Sequence, residues 1–365
     1  MIIDNFYKNF KIRDYMGDEL ENVCMHSGEL VDCSLGTNPF LDESFFNKYV
    51  ESVKSDYNKY PFDCYTSLKN ALLDFWNKNL CQDFSEEEIG LGSGSMGIIR
   101  NLCTFLLDEG DYVLGVAPQF PRFVSEVELR KARYEYYCLD TKNNFKFNVS
   151  EFISKINSKY KMIHLENPNN PTGQIIDIKD IEAVVKVAKE NGSIVVVDEA
   201  YGDYMELKNS SIGLVKKYDN LVVFRSGSKF WGLPNHRVGY VFANKEIMKV
   251  YNMISLPFPF SDYSCMVFKN VLKDYESFSN TKKFVVDTKK KIFNSLNKEN
   301  YLCTDFETPI FTVRSDKHKN LYKALLNNGL ISEPCNIFLN LDERYARIRI
   351  NKDYEKIVEV LKKVL

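Results

Sequence analysis

Four β-branched residues in a row, Ile194-Val195-Val196-Val197, constrain this chain more than any other feature. A strand with one wet face alternates apolar and polar side chains, whereas an unbroken apolar run implies burial on both faces. The neighbouring segments agree. Strand patterns at Tyr112–Val116, Tyr134–Leu139, Lys161–Leu165, Leu221–Phe224 and Val238–Ala243 are interleaved with helical ones at Pro121–Ala132 and after Asp177. Asp177 is placed to cap a helix with Ile181, Val184, Val185 and Ala188 on its apolar side and a stop at Asn191-Gly192. This alternation predicts an α/β domain with a mainly parallel sheet covered by helices. Ligands of such sheets gather outside the carboxyl ends of the strands.

The C-terminal third is more mixed. It reads as a helix over 320–328, an alternating strand at Ala346–Ile350 and an amphipathic helix at Tyr354–Val364. With the N-terminal arm it predicts a second, smaller α+β domain. The expected division is an arm at 1–45, a large domain at 46–250 and a small domain at 251–365.

Charge and cysteine usage narrow the class of partner. The formal net charge is -2, so no basic field points to nucleic acid or anionic membrane. Nine cysteines, scattered singly and without a C-x-x-C pair, argue against a disulfide framework or zinc site. His26, His164, His236 and His318 lie far apart, so no metal is expected. The start lacks the pattern of an export signal, and no apolar run approaches the roughly 18–20 residues of a membrane span. A reduced, cytoplasmic setting is the expectation.

Polar clusters follow three of the strand patterns: Asn167–Gly173, Asp198–Tyr201 and Ser226–Lys229. In the third, Lys229 sits among Ser226, Gly227, Ser228 and Gly232, with Arg237 eight positions on. An amine beside hydroxyls and an arginine suits a ligand carrying both an aldehyde and a phosphate, which points to pyridoxal 5'-phosphate (PLP). Gly92-Ser93-Gly94-Ser95, ahead of a helix with Ile98, Ile99, Leu102 and Leu106 inward, is either an ordinary turn or a second phosphate contact at a helix N-terminus. Asp198, ending a buried strand, is either a cap or the carboxylate that keeps a pyridine nitrogen protonated. Tyr201 and Asn170 are candidate donors to the ring's phenolic oxygen, and Phe120 is a candidate stacking partner. Lys229 would be tether and general base in turn. Arg347 and Arg349 alternate, so they share one face of their strand, either solvated or set to bind a carboxylate.

In this order the pieces resemble fold type I PLP enzymes of the class I/II aminotransferase family, especially the histidinol-phosphate aminotransferase group with its threonine-phosphate decarboxylase relatives. The resemblance rests on Asn167-Pro168-Asn169-Asn170-Pro171-Thr172-Gly173, Asp198-Glu199-Ala200-Tyr201 and the Ser226–Lys229 run with Arg237. It implies a seven-stranded type of sheet, a Schiff base at Lys229, and cofactor contacts from Gly92, Ser93, Gly94, Phe120, Asn170, Asp198, Tyr201, Ser226, Ser228 and Arg237. It also implies a homodimer in which Tyr60 reaches the neighbouring subunit's cofactor phosphate. Asn38, in Leu35–Phe40, falls in the substrate-pocket segment, and Arg347 aligns with the α-carboxylate arginine.

Two departures stand out. Gly329-Leu330-Ile331-Ser332-Glu333-Pro334 carries an acid where histidinol-phosphate enzymes place an arginine for the substrate phosphate. Arg349 stands where the family usually has a small or hydroxyl residue; it either selects a second acidic group or pairs with a carboxylate such as Glu333. The expected activity is transfer of an amino group between an amino acid and a 2-oxo acid. The rival readings are decarboxylation, oxidation or elimination on the same scaffold, and a non-catalytic PLP-binding role.

Overall fold

The computed structural model of the protein describes residues 30–55 and 58–365, so the first 29 residues of the expected arm lie outside the described residues. Seven strands build the large sheet: β1 (Ile89–Ser93), β2 (Tyr112–Ala117), β3 (Arg133–Cys138), β4 (Tyr160–Glu166), β5 (Ile194–Asp198), β6 (Leu221–Ser226) and β7 (Val238–Ala243). Their spatial order is β1-β7-β6-β5-β4-β2-β3. All pairings are parallel except those of β7, which runs antiparallel to β1 and β6.

The β-branched run explains why both faces are covered. Val195 and Val197 pack with Ile181, Val184 and Val185, while Val196 packs on the other side with Ile98, Leu102 and Val222. Each fully buried valine contributes about 1.5 kcal/mol. Helix α1 (Phe62–Leu80) packs beside β1. Helix α2 (Gly94–Leu106) follows β1 and buries Ile98, Ile99, Leu102 and Leu106, and α3 (Pro121–Leu129) follows β2. The helix α4 (Ile178–Glu190) starts where its cap predicts: the Asp177 carboxylate accepts from Lys179 N at 2.8 Å. Helix α3 ends three residues before the expected Ala132, because Lys131 turns into the left-handed region (φ 57°) to start β3.

The C-terminal region adds a three-stranded antiparallel sheet of β8 (Ile310–Arg314), β9 (Glu333–Pro334) and β10 (Tyr345–Arg349), ordered β9-β10-β8. Val31–Asp32 pairs in parallel with Leu330–Ile331, joining the N-terminal segment to this region. The boundary expected after residue 250 falls inside the helix Lys245–Ile254, whose Met248 and Tyr251 pack against the large sheet. Helix α5 (Tyr275–Phe293) supplies a fully buried lysine. Lys289 Nζ donates to Thr304 Oγ1 (2.8 Å) and to the carbonyls of Asp305 (2.6 Å) and Ile310 (2.8 Å). The segment it holds is docked on the Asn167–Gly173 loop: Thr308 Oγ1 donates to Gly173 O (2.8 Å), and Thr312 Oγ1 to Pro171 O (2.9 Å). The last helix is α6 (Tyr354–Val364). Among the described residues no helix is long and apolar enough to cross a membrane.

Candidate active site

The carboxyl ends of β4, β5 and β6 open into one cavity of about 680 Å³. Ser93, Ser95, Phe120, Asn170, Asp198, Tyr201, Ser226, Ser228, Lys229 and Arg237 all line it. Residues from five separate stretches of chain therefore converge where a parallel sheet presents its ligands.

One end of the cavity is a cradle for an anion. Ser226 Oγ and Ser228 Oγ lie 3.0 Å apart, and Arg237 Nη1 donates to Ser228 Oγ at 3.4 Å. Arg237 takes a left-handed backbone (φ 54°), which aims its carbonyl at Gly94 N, 2.6 Å away. Gly94 is also left-handed (φ 64°), and a Cβ there would strike the Arg237 guanidinium. The free N–H groups at the start of α2 face the same place. Gly92 does not line the cavity. A Cβ at Gly92 would come within 2.6 Å of Ile98 Cγ1, so this glycine serves packing under α2.

The middle is built around carboxylates. Asp198 Oδ1 accepts from Ala200 N at 2.8 Å, and burial pushes its carboxyl up to about 7, partly opposed by Lys229. Beside it, in register across the two strands, stands Glu166. Its Oε1 accepts from Phe120 N (2.8 Å) and its Oε2 from Asn170 N (3.0 Å), so one side chain ties down two expected contact residues. Burial, then the neighbouring Asp198, raises the Glu166 carboxyl well above its usual range. His164, on the same face of β4, stacks on Phe123 with centroids 3.4 Å apart. Burial lowers it to about 3, so the ring is neutral. The ligand atoms of His164, Glu166 and Asp198 lie within 4.8 Å of one another, a grouping that sequence distance concealed.

Tyr201 is 3% exposed, and its Oη has no hydrogen-bond partner among the described residues. A Cβ at Gly36 would overlap that hydroxyl, so the Leu35–Phe40 segment approaches it as closely as backbone allows. Lys229 Nζ lies 5.4 Å from the Tyr201 ring centroid. A second layer fixes the Asp198–Tyr201 loop. Arg225 Nη2 pairs with Glu199 at 2.7 Å and Nη1 with Asp203 at 2.8 Å, over the face of Trp76. Glu199 further accepts from Ser210 Oγ and Ser211 N.

Behind Asn170 sit the two strand arginines. Arg347 is fully buried and Arg349 is 7% exposed, which excludes a solvated face. Arg347 Nη1 donates to Asn170 Oδ1 at 2.8 Å, turning that residue's amide N–H groups away from it, and Nη2 donates to Ser34 O. Arg347, and not Arg349, pairs with Glu333, at 3.3 Å; this corrects the expected partner. Arg349 instead donates to Thr37 Oγ1 (3.3 Å) and to Asp32 O. Asn38 departs from its expected place as a substrate ligand. Its amide is committed to Phe230 O and Thr281 Oγ1 (both 3.0 Å), its Oδ1 to Phe40 N, and its backbone N–H to Lys229 O. It braces the lysine turn. Tyr60 is 70% exposed, stacks on Phe258 at 4.8 Å, and lies outside its own chain's cavity.

Several site residues went unread in the sequence: Glu166, His164, Glu199, Arg225, and the cavity-lining Arg100 and Arg122. Glu166 carried a usable signal. It ends a buried strand just ahead of Asn167, the same circumstance that singled out Asp198.

The arrangement fits PLP. The cradle suits its phosphate, the buried Asp198 carboxyl its ring nitrogen, the orphaned Tyr201 hydroxyl its phenolic oxygen, and Lys229 its aldehyde. Comparisons with known proteins agree. A family model described as aminotransferase class I and II matches residues 35–364. The chain is 29% identical over 372 residues to a histidinol-phosphate aminotransferase of Methanocaldococcus jannaschii, covering 97% of this chain and 96% of that protein. The structure of the histidinol-phosphate aminotransferase from Clostridium acetobutylicum superposes with a TM-score of 0.80 at 24% identity, covering 92% of this chain and 99% of that one. That of a histidinol-phosphate aminotransferase from Sinorhizobium meliloti, in complex with pyridoxal-5'-phosphate, gives 0.79 at 17% identity, covering 94% and 93%.

Proposed function

Because the chain belongs to the class I and II aminotransferase family and is a PLP-dependent aminotransferase, we propose that Lys229 is its covalent anchor and general base. When bound, the cofactor supplies an aldehyde that binds amines and an electron-poor ring that stabilises charge at the substrate Cα. The chain's own residues hold and orient it. Ser226, Ser228, Arg237 and the N–H groups at the start of α2 take the phosphate. Asp198 holds the ring nitrogen's proton, since burial of its carboxylate favours a proton beside it. Tyr201 and Asn170 donate to the phenolic oxygen, and Phe120 covers one ring face. Lys229 Nζ, besides anchoring the cofactor, would move the proton at the substrate Cα. Arg347 takes the α-carboxylate of the amino acid or 2-oxo acid.

The observation that carries this reading is the juxtaposition of Lys229, the orphaned Tyr201 hydroxyl and Asp198 in one cavity. Incubating the PLP form with single amino acids tests it. Conversion of bound PLP to pyridoxamine phosphate, with release of the 2-oxo acid, is expected; carbon dioxide or peroxide instead would contradict it.

A homodimer with shared sites also belongs to this reading. Tyr60 is exposed and does not line the cavity that holds Lys229 in its own chain, in keeping with a role at the neighbouring subunit's phosphate. A fully active monomer in sedimentation at assay concentration would refute it. The eight described cysteines are free, which suits the proposed cytoplasmic setting. We place the start of the small domain after Ile254, where the helix that packs on the large sheet ends, and group residues 30–45 with it; the pairing of Val31–Asp32 with Leu330–Ile331 supports that grouping.

A further inference from the structure

We propose that Glu333 is a specificity-determining residue that tunes the Arg347 pocket to a singly charged anion and against a phosphate monoester. This rests on the reading of Arg347 as the carboxylate ligand. Arg347 and Arg349 project from the same face of β10, and both are buried. Two guanidinium groups alone would make a doubly charged site, well suited to a phosphate dianion. Glu333 changes that balance. It is the register partner of Arg347 across β9 and β10, is 4% exposed, and places Oε2 3.3 Å from Arg347 Nη2. The three side chains together leave a single net positive charge.

A carboxylate matches that charge. A phosphate monoester carries about -1.5 to -2 near neutrality, so its excess charge would be buried against a carboxylate. Glu333 Oε1 is buried and has no hydrogen-bond partner among the described residues. It offers nothing to the oxygens of either anion, which are themselves acceptors, so the discrimination rests on charge. The nearby Tyr201 adds no charge, because burial pushes its hydroxyl up to about 12. The enzyme should therefore take amino acids through their α-carboxylate and reject amino-alcohol phosphate esters.

Calorimetric titration of the holoenzyme with butyrate and with ethyl phosphate at pH 8 tests this. Wild type should bind butyrate more tightly. Glu333→Gln should shift the ratio of the two affinities toward ethyl phosphate by about tenfold or more, while Glu333→Asp should keep the wild-type preference. A ratio unchanged within about twofold in Glu333→Gln overturns the inference, as does a wild-type preference for ethyl phosphate, which needs no variant. Arg347→Gln separates the premise: if it leaves butyrate binding intact, Arg347 is not the carboxylate ligand, whatever Glu333 does.

Discussion

The two ends of the active site are built on different principles. The cofactor end sits on the carboxyl ends of a parallel sheet and is incomplete by itself: the Asp198 carboxyl is buried and only partly offset by Lys229, and the Tyr201 hydroxyl has no partner among the described residues. The proposed substrate end sits on a small antiparallel sheet and has most of its charged groups held within the chain, with Arg347 against Glu333 and Asn170, and Arg349 against Thr37 and Asp32. The first arrangement demands one particular group. The second can be adjusted by changing a single charge without disturbing the chemistry.

That contrast can be broken most severely at Lys229. Lys229→Ala should lower kcat by roughly four orders of magnitude, because anchor and base are lost together. Residual turnover above about 1% in a steady-state assay would show that the cofactor end does not depend on it. Next comes the support beneath Asp198. Glu199→Ala leaves Arg225 buried with only Asp203, and should cost about 3–5 kcal/mol in urea unfolding.

Asp198 itself gives a test of opposite sign. Its carboxyl, raised by burial from 3.8 to about 7, favours the folded state when protonated. That contribution is fully present below about pH 4 and lost as pH rises through 7. Cofactor-free Asp198→Asn should therefore be more stable than wild type at pH 8, by up to about 4 kcal/mol. The advantage should vanish toward pH 4 and shrink when cofactor is added, although the variant is catalytically impaired. No gain at pH 8 in thermal unfolding would mean that Asp198 is already compensated.

At the substrate end the effects are smaller. Arg347→Gln should raise KM for amino acids about 10- to 100-fold, the equivalent of one charge-assisted bidentate contact, with kcat changed much less. A change confined to kcat would move Arg347 out of the binding site. Far from both ends, Asp177→Ala removes a helix cap and should lower stability by about 1 kcal/mol without altering kcat/KM.

The cofactor end was the more legible in sequence, for a physical reason. Its residues follow strands within a few positions, so the polar segments Asp198–Tyr201 and Ser226–Lys229, after the runs at Ile194–Val197 and Leu221–Phe224, mark where a ligand would sit, and the family resemblance supplies their roles. The substrate end depends on register between segments distant in the chain. Nothing near Glu333 reveals that it faces Arg347, because β9 has only two residues and no period to read. Asn38 was misjudged on the same ground: its partners Phe230 and Thr281 lie about two hundred positions away. Glu166 was the exception, local in its signal yet overlooked beside the louder Asn167–Gly173 loop.

The central claim is that the amine at position 229 carries the cofactor. Borohydride reduction of the holoenzyme, digestion and mass spectrometry test it directly. A pyridoxyl group fixed on Lys229 Nζ is expected. A group found on another lysine, or none on any, would contradict it.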